Sequence, residues 1–562
     1  MKFFNIFNFV LIIIIEFMQS RICGSDKLKI EPIILNIKTD VRKTSASNTN
    51  SVYSPIAIGY DFTTLKKPSS MSSSEFSNVK SLLQETREEF SKILQVKHKN
   101  IDLSGNLENI IETCELDTIE ADYSNFLIKN DIIIFPMFFN QDTAVLAAAS
   151  PCIIGEKYRP LGGVLYINNK IDFGKRNADL YLKNLLFHEI THILAFHPYF
   201  FKNLNLNKTI GSTNYIISSN VIAKAKEHFG CPSLTKIPLE NQGGRGSEGT
   251  HWESRYMLGD YMVSTDYPDM AISDITLALF EDTGFYKVNY YSGGLFKFGK
   301  NKGCDFFNKK CIENHIPTFD EFCNESKEPK CSSSRTMKSS CYLINYNYNL
   351  PSQYQYFPEQ IKGGFPSANY CPVPYELHSS DYYFSNHCQF GIANSNTNGE
   401  KIGKESLCFM SSLLPVSSGI EVNSKIPVCY KVECDKSKNN IIVAIGSERI
   451  TCPTNGGILS DPSGFKGSIE CPKYDDICSS NNSLICNDIY SCLKESADKD
   501  NYNYKVSYVD YEGYEAVINR NNYDDYEEDD DDDYTNPIFR TKGYNIKANF
   551  ALMFFFLLIF IN

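Results

Sequence analysis

Basic charge is in deficit in this sequence. Its 562 residues include 55 Lys and Arg against 67 Asp and Glu, a formal net charge of -12. That balance excludes the basic surface with which nucleic-acid-binding proteins neutralise phosphates. Tryptophan is almost absent, Trp252 being the only one, and there are only nine histidines. The candidates for imidazole chemistry can therefore be weighed one by one. No apolar run approaches the ~20 residues needed to cross a bilayer as a helix. The 19 cysteines contain no CxxC pair and are irregularly spaced, which argues against thiolate zinc fingers. With 42% hydrophobic and 22% charged residues, the composition is globular and excludes a wholly disordered chain. The length allows several domains and a large core that needs no metal or disulfide to hold it together.

The abundant cysteines therefore need their own explanation. Only Cys114, Cys152 and Cys231 fall between residues 24 and 300, whereas the stretch from Cys304 to Cys492 is dense in them, and Cys23 stands alone. Without Cys23 the number is even, as disulfides in an oxidising compartment require. The termini point the same way. Met1-Lys2 precede the apolar stretch Phe3–Ile15 and the polar Gln19-Ser20-Arg21, the layout of a secretory signal. Cleavage is expected between about Ser20 and Ser25. Phe550–Ile561 is almost wholly apolar and follows a polar segment around Thr541–Asn545. A short apolar tail in that setting reads as a GPI-attachment signal, with Gly543 or Asn545 as candidate attachment residues. This predicts export through the ER and a lipid anchor on the outer face of the cell membrane. Sequons at Asn207, Asn324 and Asn481 are compatible with that route.

Seven segments are expected along the chain: a signal peptide (1–23), a leader or pro-segment (24–52), a first half-domain (53–197), a second (198–303), a Cys-rich, loop-rich domain (304–494), an acidic stalk or linker (495–545) and the hydrophobic tail (546–562). Strands are predicted at 55–61, 131–136 and 162–168. Helices are predicted at Val79–Val96, where apolar residues recur at helical spacing, at Leu180–Phe196, at Val221–Phe229 and at Asp274–Asp282. The acidic run at 524–533 repels itself and reads as a solvated linker.

The chemistry sits in Leu186-Phe-His-Glu-Ile-Thr-His-Ile-Leu194, an HExxH pattern. The i, i+4 spacing puts His188 and His192 on one helix face, where both can bind one Zn²⁺ at about 2.0–2.1 Å. Glu189 lies beside that face, in reach of a metal-bound water whose pKa falls to ≈ 7, and can act as its base. A hydrolytic zinc needs a third protein ligand and an open position. Positions 195 and 198, where a compact zincin pattern would place Gly and His, hold Ala195 and Pro198. His197 is poorly aimed at the helix end, and His228 reads as a packing or surface residue. His251 follows the Gly-rich loop Gln242–Gly249, which can carry it back to the helix, and is the expected third ligand.

Residues 227–262 (EHFGCPSLTKIPLENQGGRGSEGTHWESRYMLGDYM) resemble leishmanolysin-type surface metalloproteases, members of the metzincins with a long insertion before the third histidine. Residues 149–168, 274–290 and 296–307 are similar to the same family, in the same order. The resemblance runs over roughly 53–310, with a looser Cys-rich match beyond. It implies an α+β fold: a metzincin-like catalytic domain in two halves around a zinc helix, then a disulfide-rich domain. It also implies one zinc per chain on His188, His192 and His251, Glu189 as catalytic base, and a methionine turn under the metal at Met262, with Met257 the nearby competitor. Ala195 departs from the family's Gly, whose positive φ makes a tight turn; Ala there is strained unless the helix continues. Family pro-segments cap the zinc with a cysteine, and here only Cys23 is placed to do so. The activity implied is hydrolysis of peptide bonds in extracellular proteins, the substrate lying along an edge strand of the first half-domain. The alternative is a surface adhesin on a protease-like scaffold.

Overall fold

In the computed structural model the described residues are 28, 30–35, 40–41, 53–97, 99–100, 102–121, 123, 130–140, 145–242, 247–265, 270–290, 296–375, 383–393, 399–419, 424–435, 437–478 and 508–512. Outside them lie the signal segment, Cys23, Asn481, Cys486, Cys492, the acidic run and the apolar tail.

The architecture is mixed α/β. A five-stranded sheet is built from β1 (Ile33–Ile34), β2 (Ile58–Tyr60), β3 (Ile132–Phe139), β4 (Ala147–Ile154) and β5 (Pro160–Asn168), in the order β1-β4-β5-β3-β2. β4 runs antiparallel to β5, and the other pairings are parallel. Helix α1 (Ser73–Ile93) starts where Ser72 and Glu75 form a reciprocal capping box, which satisfies two otherwise orphaned backbone donors. It ends earlier than its apolar periodicity predicts. Leu94–Val96 turn into a strand that pairs with Ser54–Pro55 and Tyr286–Val288, so these apolar residues are buried through a sheet.

Helix α2 (Ala178–Leu194) packs between α1 and the sheet. Phe187 stacks on Phe90 of α1 with ring centroids 4.2 Å apart. On the sheet side a Cβ at Gly163 would collide with Ile193, so glycine there lets helix and sheet close on each other. Almost every residue from Leu185 to Phe196 is buried in the same core. The HExxH residues are thereby fixed by packing on all sides. Helices α3 (Ser219–Phe229) and α4 (Asp274–Asp282) pack on each other beyond the zinc-motif helix.

The Cys-rich region has its own core around an antiparallel sheet of β6 (Ser406–Ser411), β7 (Ile426–Asp435), β8 (Asn440–Ile445), β9 (Glu448–Thr451), β10 (Gly457–Ser460) and β11 (Ser468–Cys471), in the order β9-β8-β7-β6-β11-β10. Eight disulfides join the described cysteines. Cys114–Cys152 ties the sheet to a neighbouring short helix, and Cys231–Cys304 crosses the central region. The other six all lie between Cys311 and Cys478. Among the described residues no helix is long and apolar enough to cross a membrane.

Five residues of the segment expected to be a stalk, Tyr508–Glu512, run along the outer edge of β2. Tyr511 N–H donates to Tyr60 O and Phe62 N–H to Tyr511 O, at 3.0 and 2.8 Å. Asp510 accepts from Tyr60 N–H, Gln84 and Arg87, Lys80 pairs with Glu512 at 2.9 Å, and Tyr508 lies under the Arg87 guanidinium. The Arg87–Asp510 pair is buried at both ends. Removing one partner of such a pair costs about 3–5 kcal/mol, because the other charge is left uncompensated. Asp510→Ala is therefore expected to free the strap and speed hydrogen exchange at the Phe62 and Tyr511 amides at least about a hundredfold. Unchanged exchange would show that the ion pair does not hold the strap.

Candidate metal centre

The i, i+4 spacing on α2 brings His188 and His192 together, and the chain returns after the Gly-rich loop to add His251. All three imidazoles are fully buried. His188 Nε2 lies 3.1 Å from His192 Nε2 and 3.3 Å from His251 Nε2. Two nitrogens each about 2.05 Å from a shared tetrahedral ion stand about 3.3 Å apart, so the spacing suits a common cation.

The opposite ring nitrogens decide the tautomers. His188 Nδ1–H donates to Tyr261 O at 2.5 Å and His192 Nδ1–H to Phe196 O at 2.7 Å. His251 Nδ1–H faces Ser247 O at 3.1 Å and Thr250 Oγ1 at 2.8 Å. A carbonyl only accepts, so each Nδ1 carries the proton and each Nε2 presents a lone pair. Three lone pairs converging in a buried space repel one another, and a cation removes that repulsion. Outer-shell carbonyls fix ligand rings in this way in metal sites generally. Burial lowers the affinity of all three rings for protons: His188 is pushed down to about 4, and His192 and His251 fall well below 6.5 by burial and by their neighbours. The three histidines can hold a metal ion, and they are neutral, as ligation requires, at physiological pH.

Glu189, between the two helix histidines in sequence, is also wholly buried. Ala195 ends the helix at φ -156° and ψ -42°, with its N–H bonded to Thr191 O. The helix does not continue, yet the left-handed geometry that would demand glycine is not used, so the departure at 195 brings no strain. The freed helix end is met by Tyr286, whose hydroxyl donates to Leu194 O at 3.0 Å. His197 lies apart as the N-cap of a short helix, its Nδ1 accepting from Tyr199 N–H. His228 bonds Phe298 O and stacks on Phe296.

Met262 is buried and Tyr261, beside it, carries the carbonyl that holds His188. Met262 N–H donates to Asp260 Oδ1, and Trp252 N–H donates to Met262 O. Asp260 Oδ2 accepts from Thr276 Oγ1 at 2.8 Å, and that oxygen accepts from Trp252 Nε1 at 2.7 Å. One polar network therefore joins the segment after His251 to the turn at Tyr261-Met262. Met257 is buried too, in the short helix Ser254–Met257. No side-chain pattern marks Tyr261, Phe196 or Ser247, because they act through backbone carbonyls. Asp260 stands two residues before Met262, but no spacing rule marks it.

Comparison with known proteins adds an independent line. A family model described as leishmanolysin matches residues 77–484. A leishmanolysin homolog from Crithidia fasciculata is 28% identical over 381 residues, 64% of this chain and 57% of its own. Leishmanolysin from Leishmania tropica is 28% identical over 371 residues, 63% of this chain and 55% of its own. A leishmanolysin-like peptidase from Drosophila pseudoobscura pseudoobscura is 30% identical over 313 residues, 49% of this chain and 45% of its own. The chain thus spans roughly half the length of these curated relatives. The family match covers most of the chain and all three histidines, and the chain belongs to the leishmanolysin family.

Proposed function

We propose that the protein is a zinc metalloendopeptidase that hydrolyses peptide bonds in proteins, with one zinc per chain on His188, His192 and His251. The observation that carries this reading is the convergence of three neutral, carbonyl-fixed imidazoles beside the buried Glu189. When bound, zinc would polarise a peptide carbonyl and acidify a water molecule. Glu189 Oε takes a proton from the attacking water and passes it to the leaving amine. Tyr261 O, Phe196 O and Ser247 O hold the ligand rings in orientation, and the packed core around α2 limits water access.

Met262 forms an apolar floor under the metal in this reading. The bond from the neighbouring Tyr261 to His188 supports it over Met257. Residues 53–197 and 198–303 form two catalytic halves, the sheet with α2 on one side and α3, α4 and the Met262 turn on the other. The substrate backbone lies along the outer edge of β4. Ile33–Leu35 lie along that edge, Ile33 and Ile34 paired with Ile153 and Ile154 and Leu35 N–H donating to Ile154 O at 2.8 Å. The leader would then occupy part of the same edge before its removal, with Cys23 capping the metal. Export is supported by the eight disulfides, which form in oxidising compartments, and attachment through a C-terminal lipid rests on the sequence alone.

The test is cleavage of a quenched peptide library by the full chain after removal of its leader. Turnover should vanish on chelation and return with one equivalent of zinc. Turnover that persists in the metal-free protein would rule out the metallopeptidase, and stoichiometric zinc without turnover would favour the adhesin reading.

A further inference from the structure

A cleft of about 650 Å³ lies between the loop at 297–302 and the Cys-rich region, and no residue of the metal centre lines it. Six cations reach it: Lys297, Lys300, Lys302, Lys330, Arg335 and Lys473. Four carboxylates share its walls, but most are already engaged. Asp320 and Glu321 pair with Lys302 at 2.7 and 3.5 Å, and Glu470 pairs with Lys425, which is not part of the lining. Lys330 has Glu328 at 3.8 Å and two backbone carbonyls.

The remaining cations are only partly compensated: Asp476 acts on Lys297, and Glu470, Asp476 and Asp320 act on Arg335. Among the described residues Lys297, Lys300, Arg335 and Lys473 have no ion pair. Lys297 donates only to the carbonyl of Asp476, and Arg335 to Cys408 O at 3.3 Å. Burial and the nearby Lys300 press the Lys297 ammonium down to about 8, so positive charge is crowded here. Crowded cations in a concave, partly desolvated wall favour an anion, since low-dielectric walls strengthen the field inside. The chain as a whole carries -12 and repels polyanions, so this cleft is a local exception to its surface.

The rest of the lining narrows the ligand. Ser333 and Asn301 offer a hydroxyl and an amide, suited to sugar hydroxyls, while the Ser332 and Ser334 hydroxyls beside them already bond each other, Met337 N–H and Thr336. The volume falls within the range of small-molecule sites and exceeds what a lone inorganic anion fills. We propose that this cleft binds a glycan bearing sulfate or phosphate esters, the esters meeting Lys297, Lys300, Lys473 and Arg335 and the hydroxyls meeting Ser333 and Asn301. The site stands apart from the metal centre, so binding and peptide turnover are separable.

The test is calorimetric titration of the full chain at physiological salt with four probes: a sulfated heparin hexasaccharide, its desulfated counterpart, a phosphorylated oligomannose and inorganic sulfate. The double variant Lys300→Glu/Lys473→Glu is compared with Lys157→Glu/Lys208→Glu, which makes the same charge change at exposed positions outside the cleft. One esterified glycan should bind the wild type and the control, and weaken at least tenfold in the cleft variant while its folding is unchanged by circular dichroism. Which of the two binds identifies the ester. The desulfated sugar should not bind. Absence of binding by both esterified glycans, equal weakening in the control, or inorganic sulfate displacing the glycan at equal concentration would each overturn the proposal.

Discussion

Glu189→Gln is expected to lower kcat for peptide hydrolysis by about 10²–10⁴-fold, with zinc content, KM and folding unchanged. Glutamine is nearly isosteric with glutamate, so a buried side chain packed on all sides can be replaced without a cavity. It can still orient a water through its carbonyl oxygen, but it cannot take up the proton. The three ligands keep their carbonyl partners, which lie on other elements, and the metal should stay. The measurement is metal analysis together with steady-state kinetics. A variant within threefold of wild-type kcat at equal metal occupancy would remove Glu189 from the proton-transfer role. A variant that lost its metal would show instead that Glu189 maintains the site.

Parts of this arrangement are legible in the sequence and parts are not, for physical reasons. His188, Glu189 and His192 stand out because helical spacing maps directly onto one face. His251 is harder, since it lies 59 positions beyond His192 and only the Gly-rich approach and the family-like run mark it. β4 escapes a propensity reading. Its start, Ala-Ala-Ala-Ser-Pro, is poor in the β-branched residues that favour strands, and Pro151 sits where the register with β5 shifts, a place where proline is tolerated. The strap at Tyr508–Glu512 escapes for another reason. Tyr-Val-Asp-Tyr-Glu lies in polar, acidic surroundings, and its ion-pair partner Arg87 is 423 residues away. Local patterns carry no information about such a pairing.

Acid should strip the metal and end activity only as the pH falls to about 4, before the fold is lost. An unfolded histidine titrates near 6.5. Burial lowers His188 to about 4 and moves His192 and His251 in the same direction. Below 6.5 the unfolded chain therefore binds protons that the folded chain refuses. The stabilisation is complete above 6.5 and lost as pH falls from 6.5 to about 4, by about 3 kcal/mol for His188 alone. Ligation acts with the same sign, since only neutral imidazole binds metal. Asp260 acts with the opposite sign. Burial raises it to about 6, so between 6 and 3.8 the folded chain holds a proton that the unfolded chain lacks, and acidification restores about 3 kcal/mol. Buried Glu253, also raised, adds to that compensation. The two sets of groups offset each other in the fold but not at the metal, where every ligand competes with protons. Metal content should thus hold while the folded imidazoles stay neutral and fall, with turnover, as the pH reaches about 4, while circular dichroism changes little. Metal lost already at about pH 6 with the fold intact, or metal release only in step with unfolding, would show that the three histidines do not hold the ion.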